Sequence, residues 1–441
     1  MKNLIIVSPY FSPQNRIAAV RPTKFAKHLQ ESQKYRITVL TQQQYKSLHD
    51  PILEKDVLQI ADIQYLPLGF LAKTAHRLCS FLIDRKRSDT ESVSSTVISN
   101  PRNSPNRLKI WFSRFVNQTL GWIDGRSFYH KAKVLIRKKK REDLDIIFST
   151  YGPLSSHWVG RYLKKKNPQA KWIADFRDQV FSGDTPWPYR AYYQSFPRKC
   201  CRTANVITGV SEGVLRELNI LDGQSASIIP NGFDPDDYEE AKNPSGDCLK
   251  MVYTGAMYRG ERDITPLFKA VSELIHDQKI DRSRIAFDYA GGEGEVFLRQ
   301  AAAFSLEDVV VDHGYISREK SIQLQSTADI LLLASWNKKG NTGIVTGKFL
   351  EYLMMKKNIV CCMSGDLPDS TLKKMIGVAQ VGFCYEEARK EQDLVGLKEY
   401  IYQKYLEKQK SGYCIYEPNG QWIQQYDYRH ITQQLEELFE I

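Results

Sequence analysis

Leu249-Lys-Met-Val-Tyr-Thr-Gly-Ala-Met-Tyr-Arg-Gly-Glu-Arg-Asp263 opens with a short apolar run, Leu249 to Tyr253, and breaks into a turn holding Gly255 and Gly260. A helix begins just beyond, near Thr265-Pro266. The run is too short for a buried helix, and glycine lets the backbone turn sharply and approach a ligand closely. The segment reads as strand, turn and helix in a parallel sheet covered on both faces. The same unit recurs along the chain. Apolar runs from Leu4 to Val7, Ile37 to Leu40, Asp145 to Ser149, Lys171 to Ala174 and Asn205 to Thr208 form one set. Those from Leu249 to Tyr253, Ile285 to Ala290, Val309 to Val311, Ile330 to Leu333 and Asn358 to Cys361 form a second. A single sheet of ten strands is unusual, so the expected fold class is α/β with two Rossmann-like domains.

The boundary falls at Ser227-Ile-Ile-Pro-Asn-Gly-Phe-Asp-Pro235, a strand ended by Asn-Gly and flanking prolines. The expected domains are 1–228 and 229–420. Ile431, Leu435, Leu438 and Phe439 fall at helical spacing, which predicts a terminal helix within 421–441 able to pack on either domain. Residues 84–107 are polar, contain Pro101 and Pro105, and read as a surface excursion.

Composition excludes several classes. With 441 residues, 42% hydrophobic and 26% charged, and only 18 prolines, the chain is neither disordered nor fibrous. Its eight cysteines show no C-x-x-C spacing and read as buried thiols, not a disulfide framework or zinc site. No apolar run approaches the roughly 18–20 residues of a membrane span, and Leu4 to Val7 is too short for a signal-peptide core. The expectation is a cytoplasmic protein without an integral anchor. The net charge of +11 is unevenly spread: residues 1–205 carry 36 Lys/Arg against 15 Asp/Glu, or +21, and the remainder carries −10. A basic half joined to an acidic one suits a domain facing an anionic surface. No nucleic-acid-reading module or aromatic platform motif is present, so no nucleic acid is expected as partner.

Ligands of open α/β sheets sit at the carboxyl ends of strands, and polar clusters stand there. After the first strand, Arg16 and Arg21 are candidates for an anionic substrate, or plain surface charges. After the third come Ser149-Thr-Tyr-Gly-Pro-Leu-Ser-Ser-His157, and after the fourth Asp175, Arg177 and Asp178, which alternatively form a local salt-bridge set. No G-x-G-x-x-G follows the first strand, which disfavours a dinucleotide. In the second half, Gly255, Gly260, Arg259 and Arg262 suit a diphosphate. The strongest pattern is Gly340-Asn-Thr-Gly-Ile-Val-Thr-Gly-Lys-Phe-Leu-Glu-Tyr352. It places Lys348 in a helix's first turn and Glu351 on the same face, a cation for phosphate and a carboxylate for ribose hydroxyls. The plainer alternative is an ordinary i, i+3 ion pair.

Taken together, Ile6-Val-Ser-Pro-Tyr-Phe11, Asp145-Ile-Ile-Phe-Ser-Thr150, Trp172-Ile-Ala-Asp-Phe-Arg-Asp178, Ile229-Pro-Asn-Gly-Phe-Asp234, Tyr253-Thr-Gly-Ala-Met-Tyr258 and Thr346-Gly-Lys-Phe-Leu-Glu-Tyr352 resemble the group 1 (family-4-like) glycosyltransferases of the GT-B fold. The resemblance spans nearly the whole chain in order. It implies two Rossmann-like domains facing across a cleft, with the terminal helix returning to the first. It further implies a nucleotide-sugar donor on the second domain, UDP-linked by default, an acceptor on the first, and transfer with retention by a hexosyltransferase-type enzyme. No metal and no cofactor are implied. Glu351 matches the ribose-binding second carboxylate of the family's Glu-x7-Glu motif; the first falls at Gly343, a departure that leaves the donor sugar open. Lys348 and Arg262 match the basic diphosphate residues, with Gly255 and Arg259 beside them. Arg177-Asp178 falls where many members carry His-Asp near the reacting centre. Arg16, Arg21, His157 and Asp175 remain acceptor-side candidates.

Residues 131–141 hold seven Lys/Arg and no acid, and Leu108, Trp111, Phe112, Phe115 and Val116 precede them at helical spacing. An interfacial helix has this composition; the plainer alternative packs the apolar face on the first sheet. The expected setting is the inner face of the cell membrane, with a lipid-linked or oligosaccharide acceptor in cell-surface polysaccharide biosynthesis. The rival expectation, prompted by Gly343, is a degenerate GT-B chain acting as a scaffold or partner subunit.

Overall fold

The computed structural model describes residues 1–44, 49–77, 107–138, 143–178, 180, 185–218, 225–238, 246–340 and 342–440. The chain divides into two compact units, Met1–Asn231 with Ile431–Ile441, and Gly232–His430. The division falls three residues beyond the expected 228/229 boundary. Much of the 84–107 excursion lies outside the described residues.

In the first unit β1 (Lys2–Val7), β2 (Tyr35–Gln42), β3 (Asp62–Leu66), β4 (Ile146–Thr150), β5 (Lys171–Phe176), β6 (Val206–Gly209) and β7 (Ser225–Ile228) form a parallel sheet. Its order is β3-β2-β1-β4-β5-β6-β7. β1 lies between β2 and β4, with Leu4 opposite Ile37 and Ile146. Strand order reverses at β1/β4, so connections leave that point toward opposite faces and a crevice opens at the carboxyl ends. Central strands are apolar throughout because both faces are covered: Ile6, Val7, Ile147, Phe148, Ile173 and Ala174 are fully buried.

In the second unit β8 (Leu249–Thr254), β9 (Ile285–Ala290), β10 (Val310–Asp312), β11 (Ile330–Trp336), β12 (Asn358–Ser364) and β13 (Gly382–Glu386) form a six-stranded parallel sheet. The order is β10-β9-β8-β11-β12-β13, and its switch point is β8/β11. Leu249, Met251, Phe268, Phe287, Phe297, Leu332 and Val360 belong to one continuous core.

The apolar pattern missed β3 and β13. Both are edge strands, paired on one side only, and their sequences, DIQYL and GFCYE, mix polar with apolar residues because part of each strand stays accessible. The terminal helix runs Tyr428–Glu440. Ile431, Leu435, Leu438 and Phe439 are all buried. Phe439 meets Tyr35 edge-on with ring centroids 5.6 Å apart, and Lys2 and Lys34 pair with Glu440 and Glu436. The seven described cysteines are free, five of them buried.

Candidate active site

One group of polar side chains in the second unit stands at the switch point. β11 ends at Trp336, and the connection returns into the helix Gly347–Met355, whose N-cap Thr346 accepts a hydrogen bond from the Phe349 amide at 3.3 Å. Phe349, Leu350, Tyr352 and Leu353 bury one face of this helix, which turns Lys348 and Glu351 toward the strand ends. Lys348 Nζ lies 2.8 Å from Glu351 Oε1, and Gln325 Nε2 donates to the same oxygen at 2.6 Å. Gln325 also donates to Thr254 Oγ1 at 3.0 Å, tying the carboxylate to the end of β8. Both contacts use Oε1, so Oε2 keeps its acceptor capacity among the described residues. Burial raises the Glu351 carboxyl, but Lys348, the Gln325 hydrogen bond and the charge of Arg318 outweigh it and hold the group below its ordinary range. It is ionised at neutral pH.

The β8 turn lies alongside. Gly255 adopts φ +121°, and a Cβ added there would stand 3.8 Å from Lys348 Cε. Arg262 donates through Nη1 to the Ala256 carbonyl at 3.2 Å, and its guanidinium lies 4.5 Å above the Tyr258 ring. Arg262 is thus tied to the residue after Gly255, and Gly255 lies against Lys348, so the β8 turn and the Lys348–Glu351 pair stand side by side. Arg259, from the same turn, is exposed. Gly343 has φ +75° with open space around a Cβ, so backbone strain and not crowding opposes a side chain there. Gln325, Thr254 and Glu293 escaped the sequence reading. Gly291-Gly-Glu-Gly294, a glycine-rich turn directly after β9, was the available signal for Glu293.

The first unit revises several expectations. Arg21 and Asp175 are 2% and 0% exposed. Arg21 Nη2 and Nε donate to Asp175 Oδ1 and Oδ2 at 2.8 and 3.0 Å, and its other N–H groups reach the carbonyls of Ile229 and Pro230 and Asn231 Oδ1. Thr150 and Thr208 hydroxyls complete the carboxylate at 2.7 and 2.8 Å. Every donor of the guanidinium and both oxygens of the acid are spent, leaving nothing for an acceptor. Asp175 is held below the ordinary carboxylate range: burial pushes it up, but Arg21 and the hydroxyls prevail.

His157 is also structural. It is fully buried, with Nδ1 2.8 Å from Ser149 Oγ and its ring 4.5 Å from Phe176. Burial lowers its pKa to about 3 against a weak opposing pull from Asp175, so it is neutral. Arg177, expected near the reacting centre, is buried and donates to the backbone carbonyls of Ala18 and Gly152. Gly152, at φ +105°, must be glycine, since a Cβ would come within 2.6 Å of that guanidinium. The local salt-bridge set is met only by the Arg177–Asp178 contact: Asp175 pairs instead with Arg21, and Arg177 donates to backbone carbonyls. Asp178 remains largely exposed, 3.7 Å from Arg177 Nε. Arg16 is exposed, its guanidinium 5.2 Å from the Tyr10 ring. Sequence reading also missed a His76–Asp124 pair at 2.8 Å, whose acid is raised by burial against the pull of His76 and Arg16.

No family model matches the chain, and no curated sequence matches it. Solved structures do. Sucrose-phosphate synthase from Thermosynechococcus elongatus aligns over 100% of this chain and 98% of its own, with TM-score 0.57 and 13% identity. The lipopolysaccharide outer core galactosyltransferase WaaB in its apo form aligns over 99% and 98%, with TM-score 0.52 and 12% identity. A trehalose-6-phosphate structure from E. coli bound with UDP-2-fluoro glucose aligns over 100% and 99%, with TM-score 0.58 and 10% identity. The chain has the GT-B fold. At these identities the likeness concerns the two Rossmann-like domains, and the chemistry rests on the side chains above.

Two stability measurements check these assignments. Asp175→Ala strands the Arg21 cation in a buried site, and removing one partner of such a pair costs about 3–5 kcal/mol. Denaturant unfolding of the first unit's tryptophans should shift accordingly; a change within experimental error would sink the clamp assignment. For His157 the folded pKa lies below the unfolded value of about 6.5, so the native state binds fewer protons and stability falls as pH drops from about 6.5 toward 3. His157→Gln should flatten the parent's loss of stability between about pH 6.5 and 5, above the range in which the carboxylates of the unfolded chain begin to take up protons. Equal slopes for the two proteins would show that His157 is not held neutral.

Proposed function

We propose that the chain is a metal-independent, retaining glycosyltransferase that moves a hexose from a nucleotide-sugar, UDP-linked by preference, to a lipid-linked glycan acceptor. The observation that carries the reading is the grouping of Lys348, Glu351, Arg262 and Gly255 at the β8/β11 switch point, on a fold shared with a UDP-2-fluoro glucose complex. Glu351 Oε2 would accept from the ribose hydroxyls, and Lys348, Arg262 and the start of the helix Gly347–Met355 would face the diphosphate.

In the reaction the bond between the anomeric carbon and the phosphate oxygen breaks, its electron pair leaves with the diphosphate, and an acceptor oxygen bonds to that carbon on the same face. Fixed positive charge at the leaving group is the largest contribution open to this site, and Lys348 and Arg262 supply it without a metal. The acceptor hydroxyl's proton passes to the departing phosphate oxygen, which gains negative charge as the bond breaks, with the exposed Asp178 carboxylate as the alternative base. Arg16 is the exposed member of the acceptor-side set, and Asp178 the exposed member of the pair expected near the reacting centre. Gly343 favours a second reading, a scaffold that binds donor without turning it over; hydrolysis or transfer by the purified chain separates the two. A thermal-shift screen of nucleotide-sugars tests the donor, since a ligand of the native state raises Tm with its concentration.

Lys348→Ala should lower kcat/KM by about two orders of magnitude, because charge beside the leaving group matters most as that charge develops. Glu351→Ala should mainly raise KM, since a ribose contact is made equally before and during transfer. A folded Lys348→Ala protein working at the parent rate would discard the site.

The acceptor reading, including a place at the inner membrane face in polysaccharide synthesis, rests on the helix Arg107–Lys138. Trp111 is 49% exposed and stacks on Phe115, 5.4 Å away. Phe115 and Trp122 pack against Tyr189 and Trp122 also against Tyr192, so part of the apolar face is satisfied within the unit. Lys131, Arg137 and Lys138 are exposed; 139–141 of the basic run, and the side chains of Leu108 and Phe112, lie outside the described residues. Among the described residues no helix is long and apolar enough to cross a membrane; the attachment proposed is surface charge, at about 1 kcal/mol per Lys or Arg near an anionic bilayer. Flotation should show binding to anionic vesicles at low salt and release at high salt; equal binding to neutral vesicles, or none to either, would return the acceptor to a soluble glycan.

A further inference from the structure

Glu293 closes the turn after β9 at the N-cap position of the helix Gly294–Ala302, with no side-chain bond to that helix. Its side chain reaches the other glycine turn. Glu293 Oε2 accepts from the Met257 and Tyr258 amides at 2.7 and 2.9 Å, and Oε1 accepts from the Arg259 amide at 2.8 Å. Three successive amides converging on one point make the concavity that backbone offers an anion, and here the anion is the chain's own. The acid responds as expected: the Arg259 amide above all, with those of Met257 and Tyr258, holds it below its ordinary range against the opposing effect of burial.

The geometry it holds is one the loop would not adopt unaided. Tyr258 and Arg259 have φ of 50° and 57°, two successive side-chain-bearing residues in the left-handed region, where a Cβ crowds the backbone. The arrangement is fixed from behind as well, because the Tyr289 hydroxyl donates to the Gly255 carbonyl at 2.9 Å and accepts from the Glu293 amide at 3.2 Å. Met257 passes the constraint on: its amide is held by Glu293, and its carbonyl accepts from the Gly260 and Arg262 amides at 3.0 and 3.1 Å.

We infer that Glu293 is a positioning residue for the donor's diphosphate, an internal anion that shapes the 255–263 loop and so aims Arg262 and the Gly255 backbone at the leaving group without touching the donor. The inference rests on the donor site proposed above. It also explains why a carboxylate is needed: glutamine offers one oxygen where three amides require two, and its NH2 would confront an N–H.

The test is titration calorimetry of the full chain and Glu293→Gln with UDP, inorganic pyrophosphate and uridine, with hydrogen exchange at residues 257–259. The variant should bind UDP and pyrophosphate about tenfold more weakly, bind uridine as the parent does, and exchange those amides faster. Loss of all three ligands together would mark a merely structural role and overturn the inference, as would unchanged pyrophosphate binding or unchanged exchange. If the parent turns over no nucleotide-sugar but binds pyrophosphate in a Glu293-dependent way, the transferase reading falls and this one stands. If the parent binds neither UDP nor pyrophosphate, both fall.

Discussion

The buried Arg21–Asp175 pair is the constraint around which the first unit is arranged. Asp175 ends β5 and takes hydroxyls from the ends of β4 and β6, while Arg21 comes from the helix after β1 and binds the chain as it leaves β7. Four strands and one helix are thereby registered by a single ion pair at the carboxyl edge of the sheet. A buried charge pair is not a cheap source of stability, because desolvation offsets most of its attraction. It is, however, intolerant of misplacement. An apolar contact would let these strand ends slide, whereas five N–H donors and two carboxylate oxygens have one arrangement that satisfies them all.

The second unit applies similar chemistry with one difference that matters for function. Lys348 and Glu351 are paired as closely as Arg21 and Asp175, yet they remain 28% and 20% exposed, and one carboxylate oxygen keeps its acceptor capacity. A pair that is oriented by Gln325 but not consumed can exchange part of its hydrogen bonding for a ligand's.

Much of this was legible in the residues. Continuous apolar runs report strands buried on both faces, so the central strands of both sheets could be read directly, and edge strands such as β3 could not. Lys348 and Glu351 were legible because an i, i+3 relation on a helix is local. Glu293 and Gln325 were not, since each acts on a residue 26 to 36 positions away. The first-unit candidates show the opposite error. Asp175 and Arg177 stand at the end of β5 and His157 in the helix after β4, polar residues where a binding site could form, but sequence does not say whether such a group points at solvent or at a partner that uses it up.

Local pattern by itself determined the fold class, the two-unit organisation, the helical period of the terminal segment and the i, i+3 pair, because each depends on periodicity or spacing within one element. Tertiary structure alone decided which charges are spent and which are available. Hydrogen-bonding capacity is finite, and its use is settled between residues far apart in the chain: Arg21 with Asp175 and the 229–231 backbone, Arg177 with Ala18 and Gly152, Glu293 with three amides of another turn. A residue's type states what it can do, and only its neighbours in space state what remains for it to do.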